Sequence, residues 1–328
     1  MRKFMKFLII LILIIPNKVL AIKKLAQTGF KFLDVCVGAR PGAMGEAYTV
    51  ISDDANAIFH NPAGMAQMEN RNFDFIISRT AWFANIAYNA IGIAINGRNW
   101  GNFGFSLIPS PDYGEIIGTI VSETNEKGYE VTGPLEVSTF SFGLAYARKF
   151  TDKFMIGGHI KYAYQHLGST RMLNKETDSI FIQENETYTM AYDLGTIFYP
   201  GFKSFRFGMS VRNFSPSVKY EVYDFQLPLT FKIAIGMDLL DLFGEHPGRS
   251  FLLAIDAVHS RDYSERIQIG GEYSIGILKL RAGYKFNYDE EKVCLGFGIN
   301  TGNIKLDFSY SEFRYLNSAE RVTLGLSF

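Results

Sequence analysis

Apolar residues alternate with small or polar ones over most of the chain, most clearly in residues 278–288. Leu278, Leu280, Ala282, Tyr284, Phe286 and Tyr288 share one parity there, and Lys279, Arg281, Gly283, Lys285 and Asn287 share the other. A period of two is that of a strand whose faces meet different environments. The split recurs: Phe140, Phe142, Leu144 and Tyr146 oppose Ser141, Gly143, Ala145 and Ala147. Likewise Phe205, Phe207, Met209 and Val211 oppose Arg206, Gly208, Ser210 and Arg212. Candidate strands begin near Phe73, Ile86, Gly101, Ser138, Phe154, Thr187, Phe205, Leu229, Phe251, Arg266, Leu278, Lys292, Ile304 and Glu320. That is about fourteen, an even number, as in bacterial single-chain membrane barrels.

Periodicity alone does not choose between a soluble sandwich, with apolar faces inward, and a membrane barrel, where the pattern is inside out. The termini tilt the reading to the membrane. Arg2, Lys3 and Lys6 precede an apolar run at 7–15, Pro16 ends it, and Val19, Leu20 and Ala21 supply a cleavage site. Residues 1–21 thus read as a secretory signal cut near Ala21. No later run is long and apolar enough for a transmembrane helix. The closing strand ends on Phe328, with Val322, Leu324 and Leu326 on its face, and this resembles the insertion signal of outer-membrane barrels.

Connection lengths agree. If both ends of the barrel sequence lie in the periplasm, the long connections 111–137, 166–186 and 214–228 face outward, and short ones such as 151–153 and 301–303 face the periplasm. The exception is 238–250, an amphipathic piece around Leu239, Leu240, Leu242 and Phe243 that reads as a periplasmic helix or a docking patch. The predicted fold is all-β: an antiparallel transmembrane β-barrel of about 14 strands over residues 73–328, in the outer membrane of a Gram-negative-type bacterium.

Composition fits: 29 Phe, 18 Tyr and 31 Gly in 328 residues suit lipid-facing aromatics and small inward residues. Strands about 4.8 Å apart and tilted about 40° close fourteen into a ring roughly 28 Å across, too wide for Gly, Ala and Ser to fill. Something must plug it, and residues 22–72, which lack the alternation, are the candidate. Zero net charge argues against a nucleic-acid partner. Cys36 and Cys294 read as two buried free thiols ahead of a disulfide.

The distinctive residues of that segment run from Gly38, Arg40, Gly42, Met44 and Gly45 to Asp53, Asp54, Asn56, Asn61, Pro62 and Gly64. Pro41 suits the first turn of a short helix. Ser52 or Asp53 is placed to cap a second through Phe59, and Asn61 to Gly64 reads as a turn in which Gly supplies a conformation other residues avoid. The ordered set Gly-Ala-Arg, Met-Gly-Glu-Ala, Asp-Asp-Ala-Asn-Ala and Asn-Pro-Ala-Gly resembles the PorV/PorQ-like family of outer-membrane proteins and, more distantly, FadL-type hydrophobic-compound channels. The resemblance implies a fourteen-stranded barrel with a short N-terminal helical plug.

Chemistry is sparse. The five His are scattered, and neither a His-Glu-x-x-His site nor a Gly-x-Ser-x-Gly elbow appears, so no enzyme, metal or cofactor is expected. His159 with a nearby Ser is the one hydrolase-like option, and any barrel offers inward His and Ser by chance. Asp53 and Asp54 read as plug hydrogen-bonding groups before a metal site, and His60 as a packed residue before a pH gate. Inward Arg206, Arg212, Lys232, Lys279, Arg281, Lys285 and Lys305 either attract anions or pair with Asp193, Asp238, Asp256, Glu272 and Asp307 to hold wall and plug; neutral charge favours pairing.

Two functions remain, besides contacts with outer-membrane lipid and the barrel-assembly machinery. One is a passive conduit or binder for small hydrophobic compounds, with an apolar pocket from Phe30, Phe32, Phe59, Trp82 and Phe83. The other, implied by the resemblance, is a non-enzymatic partner in type IX-like protein secretion, with its functional surfaces on the loops. Plug-plus-barrel geometry leans to the conduit.

Overall fold

The computed structural model describes residues 28–328 apart from 69–70, 122–124, 175–178, 221–222 and 245. The expected signal segment lies outside the described residues. The strands are β1 (Phe73–Ala81), β2 (Ala87–Asn96), β3 (Asn102–Ile108), β4 (Ile116–Val121), β5 (Tyr129–Leu135), β6 (Ser138–Thr151), β7 (Phe154–Asn174), β8 (Ser179–Phe198) and β9 (Arg206–Phe214). They continue as β10 (Val218–Lys219), β11 (Asp224–Phe225), β12 (Thr230–Asp238), β13 (Arg249–Ser260), β14 (Arg266–Ile275), β15 (Leu278–Phe286), β16 (Glu291–Asn300), β17 (Ile304–Phe313) and β18 (Ala319–Ser327). Fourteen form one closed antiparallel barrel, in which β1 meets β18 from Asp74↔Ser327 to Ala81↔Glu320. The two remaining hairpins, β4–β5 and β10–β11, stand in long connections at one end, here the loop end; the chain enters β1 and leaves β18 at the other, the short-turn end.

The alternation is inside out relative to a soluble sheet. Leu144, Leu280, Tyr284 and Phe286 are exposed on the outer wall, while Ala145, Ala147, Arg281 and Lys285 are buried in the lumen. Closure leaves no edge strand in the ring, as an apolar outer surface facing lipid would require.

Two connections differ from expectation. Residues 166–186 are mostly strand, because β7 and β8 run on beyond a register shift between His166 and Ser169. Gly168, at φ 87°, sits in that shift and breaks the parity by which the strand would have been read. The 238–250 connection holds a single 3-10 turn, Leu239–Leu242, whose Leu240 N–H is accepted by Asp238 at 3.0 Å.

Candidate functional site

Residues 28–68 fill the lumen. A 3-10 turn, Lys31–Asp34, leads to helix α1 (Ala39–Ala43); helix α2 (Ala57–His60) and a 3-10 stretch, Pro62–Gln67, follow. The second helix begins later than the sequence suggests, because Asp54 accepts the Asn56 N–H at 2.9 Å and caps a turn ahead of it, while Ser52 and Asp53 cap nothing there. Asn61 accepts the Ala63 N–H at 3.1 Å with Pro62 at the first position, so the expected turn is the start of a 3-10 helix. Gly64 is needed for space and not for an unusual backbone: a Cβ there would lie 2.0 Å from the Ser52 carbonyl oxygen.

The wall is cut to this plug by glycines in register. Gly270 pairs with Gly283 across β14 and β15; Met44 presses against both and Gly45 against Gly283, where a Cβ would stand 2.2 Å from Gly45 N. Gly157 pairs with Gly195 across β7 and β8, where a Cβ would stand 2.5 Å from Ala63 N and 1.8 Å from Asn61 Oδ1 respectively. Plug backbone therefore touches wall backbone at two places. Gly38, at φ 93°, and Gly42 admit Asn56 and the buried Arg321 in the same way.

Between these contacts runs a charged network. Arg40 donates from Nε and Nη2 to Glu272 at 2.8 and 3.0 Å, and from Nη1 to Asp53 at 2.5 Å; Asp54 lies 3.4 Å away. Arg281 reaches Glu272 at 2.5 Å and Asp307 at 2.6 Å. Lys285 joins Glu46 of the plug to Glu291 of the wall at 2.5 and 2.6 Å. Asp74 takes Arg71 at 2.8 Å, Lys305 at 2.7 Å and the Ala55 N–H at 3.2 Å. Lys232 donates to the Glu46 carbonyl at 3.0 Å. Burial alone would raise the carboxyl groups of Asp53 and Glu46, but Arg40 and Lys285 outweigh it and hold both below the usual carboxylate range. Arg212 donates to the Leu33 carbonyl at 3.3 Å, and Arg206 to Tyr199 at 3.1 Å. Among the described residues Lys279 has no carboxylate within 4.0 Å; it lines a polar cavity of about 340 Å³ with Arg40, Glu272, Arg281 and Lys305, near the β16–β17 turn.

The aromatic residues nominated for a pocket lie in three places. Phe30 and Phe32 are buried together, ring centroids 6.1 Å apart, beside Phe225. Phe59 is packed near Gly92 of β2. Trp82 and Phe83 cluster with Phe313 at the loop end. Phe32 with Val35, Cys36, Val37, Tyr88 and Ile108 surrounds a void of about 10 Å³, the size of one water.

His159, weighed from sequence with an unspecified Ser, stands in a second buried network whose other members the sequence did not identify. Ser106 Oγ lies 2.8 Å from His159 Nε2, and His159 Nδ1 lies 3.0 Å from Asp193. This is the order of a nucleophile, base and acid. Yet Asp193 is shared with Lys161 at 2.8 Å and accepts the Asn213 N–H at 2.7 Å, and Ser106 is only 3% exposed. A substrate carbonyl has no approach, and the set ties β3 to β7, β8 and β9. His159 faces Asp193 only through strand register, which a linear pattern does not reveal.

His60 is buried, its Nε2 2.8 Å from the Val37 carbonyl and its Nδ1 without a partner among the described residues. Burial, then Arg212, pushes its pKa down from 6.5 to about 3. The seated plug therefore holds it neutral, while a released plug binds a proton below pH 6.5. This contribution is fully present above 6.5 and is lost as pH falls toward 3. Protease protection of residues 28–68 is expected to weaken between pH 6.5 and 5.5, above the range where released carboxylates titrate, and His60→Gln to flatten that slope. Equal slopes would remove His60 from the account. Cys36 and Cys294 are buried free thiols, and burial pushes Cys36 up to about 12.

A model of the uncharacterised protein family UPF0164 matches residues 15–226. The chain belongs to this family. No curated protein matches the sequence of this UPF0164 member. Its fold is similar to that of the Pseudomonas putida toluene transporter TodX, at 12% identity and a TM-score of 0.58, covering 93% of this chain and 99% of that one. A Pseudomonas aeruginosa FadL homologue follows at 10% identity and 0.57, covering 90% and 98%. The CymD monoaromatic hydrocarbon channel follows at 11% and 0.56, covering 89% and 96%. At such identities the likeness is one of fold. It supports the FadL-type side of the resemblance and gives no support to the PorV/PorQ name.

Proposed function

We propose that this UPF0164 member is an outer-membrane barrel, exported by a signal cut near Ala21, that acts as a non-enzymatic passive conduit or binder for small hydrophobic compounds. A gap in the wall carries the reading. Between Ile91↔Leu107 and the bridge Ala87↔Asp112, β2 supplies three residues where the facing chain supplies four. Two of those four, Pro109 and Pro111, have no N–H to give. Tyr88 and Ile108 of the unpaired segments, with Phe32 and Val37 of the plug and Ser78, Thr80 and Asn89 of the wall, line the void there. An apolar molecule in the surrounding lipid would meet an unzipped ladder there, with Phe32, Val37 and Ile108 beside it. The fold likeness to proteins described as a toluene transporter and a hydrocarbon channel supports this by analogy. Phe30, Phe32 and Phe59 would line the path inward, and Trp82 and Phe83 the loop-end approach. The secretion role has no observation of its own here.

The full chain should partition to the outer membrane and migrate differently with and without boiling. Vesicles carrying it should pass labelled toluene to an interior trap faster than empty vesicles, with glucose at background. Equal toluene rates would sink the conduit. Replacing Pro109 and Pro111 by valine restores two ladder donors and is expected to lower toluene transfer severalfold; an unchanged rate would place the route elsewhere.

A further inference from the structure

A basic notch at the short-turn rim has no part in the conduit. It has a volume of about 410 Å³ and lies beneath Ala66 of the plug, between the β2–β3 turn and the end of β6. Among the described residues its charged lining consists of Arg98, Arg148 and Lys149. Lys149 is partnered, with Asp152 at 3.7 Å, so the two arginines carry the recognition. Two of the three lining amides are committed: Asn96 donates to the Met68 carbonyl at 3.0 Å, and Asn102 to that of Met65, while Asn99 also lines the notch. What the notch offers to a ligand is chiefly the two guanidinium groups.

The turn is built to present Arg98, while Arg148 comes from β6. Arg98 has φ 55°, a left-handed conformation an ordinary side chain avoids, and its N–H is held by Asn96 Oδ1 at 2.8 Å. The turn closes with the Gly97 N–H donating to the Gly101 carbonyl at 2.9 Å. Beside the notch, the outer wall carries an aromatic cluster. Trp100 is 80% exposed, Tyr146 donates to the Trp100 carbonyl at 2.9 Å, and Phe103 lies 5.4 Å from the Tyr146 ring. Exposed Trp and Tyr mark the level at which a bilayer's apolar core gives way to its headgroups. Guanidinium groups match the oxygens of a phosphate.

We propose that this notch binds the headgroup phosphate of an anionic phospholipid in the leaflet at the short-turn end. The inference rests on the outer-membrane reading above. Arg98 and Arg148 clasp the phosphodiester, and Trp100 with Phe103 contacts the glycerol and upper acyl chains. A lipid is favoured over a soluble phosphate because the cations and the aromatic cluster share one rim.

The test uses the full chain in detergent micelles, its heat-dependent migration checked first, titrated with phosphatidylglycerol or phosphatidylcholine of identical chains and read by native mass spectrometry. Phosphatidylglycerol should be retained about tenfold more strongly, and Arg98→Gln with Arg148→Gln should remove that preference while leaving the heat shift intact. An Arg314→Gln control at the loop end should change nothing. Equal retention of both lipids, or a double variant that keeps the preference, overturns the proposal. Equally strong competition by glycerol phosphate would also overturn it, by giving the notch to a soluble anion. Absence of a heat shift in the parent protein would instead strike the outer-membrane reading, so the two failures are distinguishable.

Discussion

Gly283→Leu is expected to unseat the plug and leave an open ring. A Cβ at Gly283 would meet backbone atoms of Met44 and Gly45 at 2.2–2.7 Å, and backbone in a closed turn cannot step aside as a side chain can. Overpacking against movable side chains costs about 1–3 kcal/mol, and here the obstacle is fixed on both sides. Gly157→Leu should act alike, because its Cβ would meet Ala63 N and the Pro62 carbonyl carbon at 2.5 Å. The neighbouring Gly158 supplies the control. It faces outward with its nearest atoms at 3.6 Å, so Gly158→Leu should seat the plug normally. Sugar permeation into vesicles should rise by an order of magnitude for the two lumen variants only, with their heat-dependent migration retained. Tight vesicles from Gly283→Leu would show that the glycine contacts do not hold the plug.

Arg40→Ala is expected to loosen the plug without displacing it. The change strips Glu272, Asp53 and Asp54 of a shared partner. Arg281 still serves Glu272, and the Asp53 side chain is 42% exposed, so solvent absorbs part of the loss. Removing one side of a buried pair costs about 3–5 kcal/mol, and the lower end fits here. Amide exchange across residues 38–60 should quicken about a hundredfold through local opening. Arg40→Lys keeps the charge but not the two-pronged contact with Glu272, and should fall between. Exchange rates equal to those of the parent would assign plug stability to packing alone.

Much of the fold was legible because a barrel writes itself in parity. Strand starts at Phe73, Ser138, Phe154, Arg266, Leu278 and Ile304 were readable directly, since each face of each strand has one environment. Parity failed where a bulge reset it, as at Gly168, and where β4–β5 and β10–β11 stand clear of the wall. In the plug, the residues that matter were visible as an unusual set, but their reasons were not. Asp53 looked like a cap and is a ligand of Arg40; Gly64 looked like a turn residue and makes room for Ser52. Such reasons depend on which strand faces which part of the plug. The Ser106, His159 and Asp193 network and the glycine pairs share that dependence, because register joins residues that sequence keeps apart.

The backbone contacts at β7–β8 and β14–β15 have a mechanical meaning as well. A ring of fourteen strands with nothing inside resists flattening only by bending its ladders, and lateral pressure in a bilayer would deform it into an oval. With Asn61 and Pro62 bearing on one part of the wall and Met44 and Gly45 on another, the plug spans the lumen as a strut. Its ends are incompressible peptide groups, so it sets the ring's width as well as closing it. The gap at Pro109 and Pro111 can then widen only by local movement of β2 and β3, because the rest of the circumference is held to a fixed gauge.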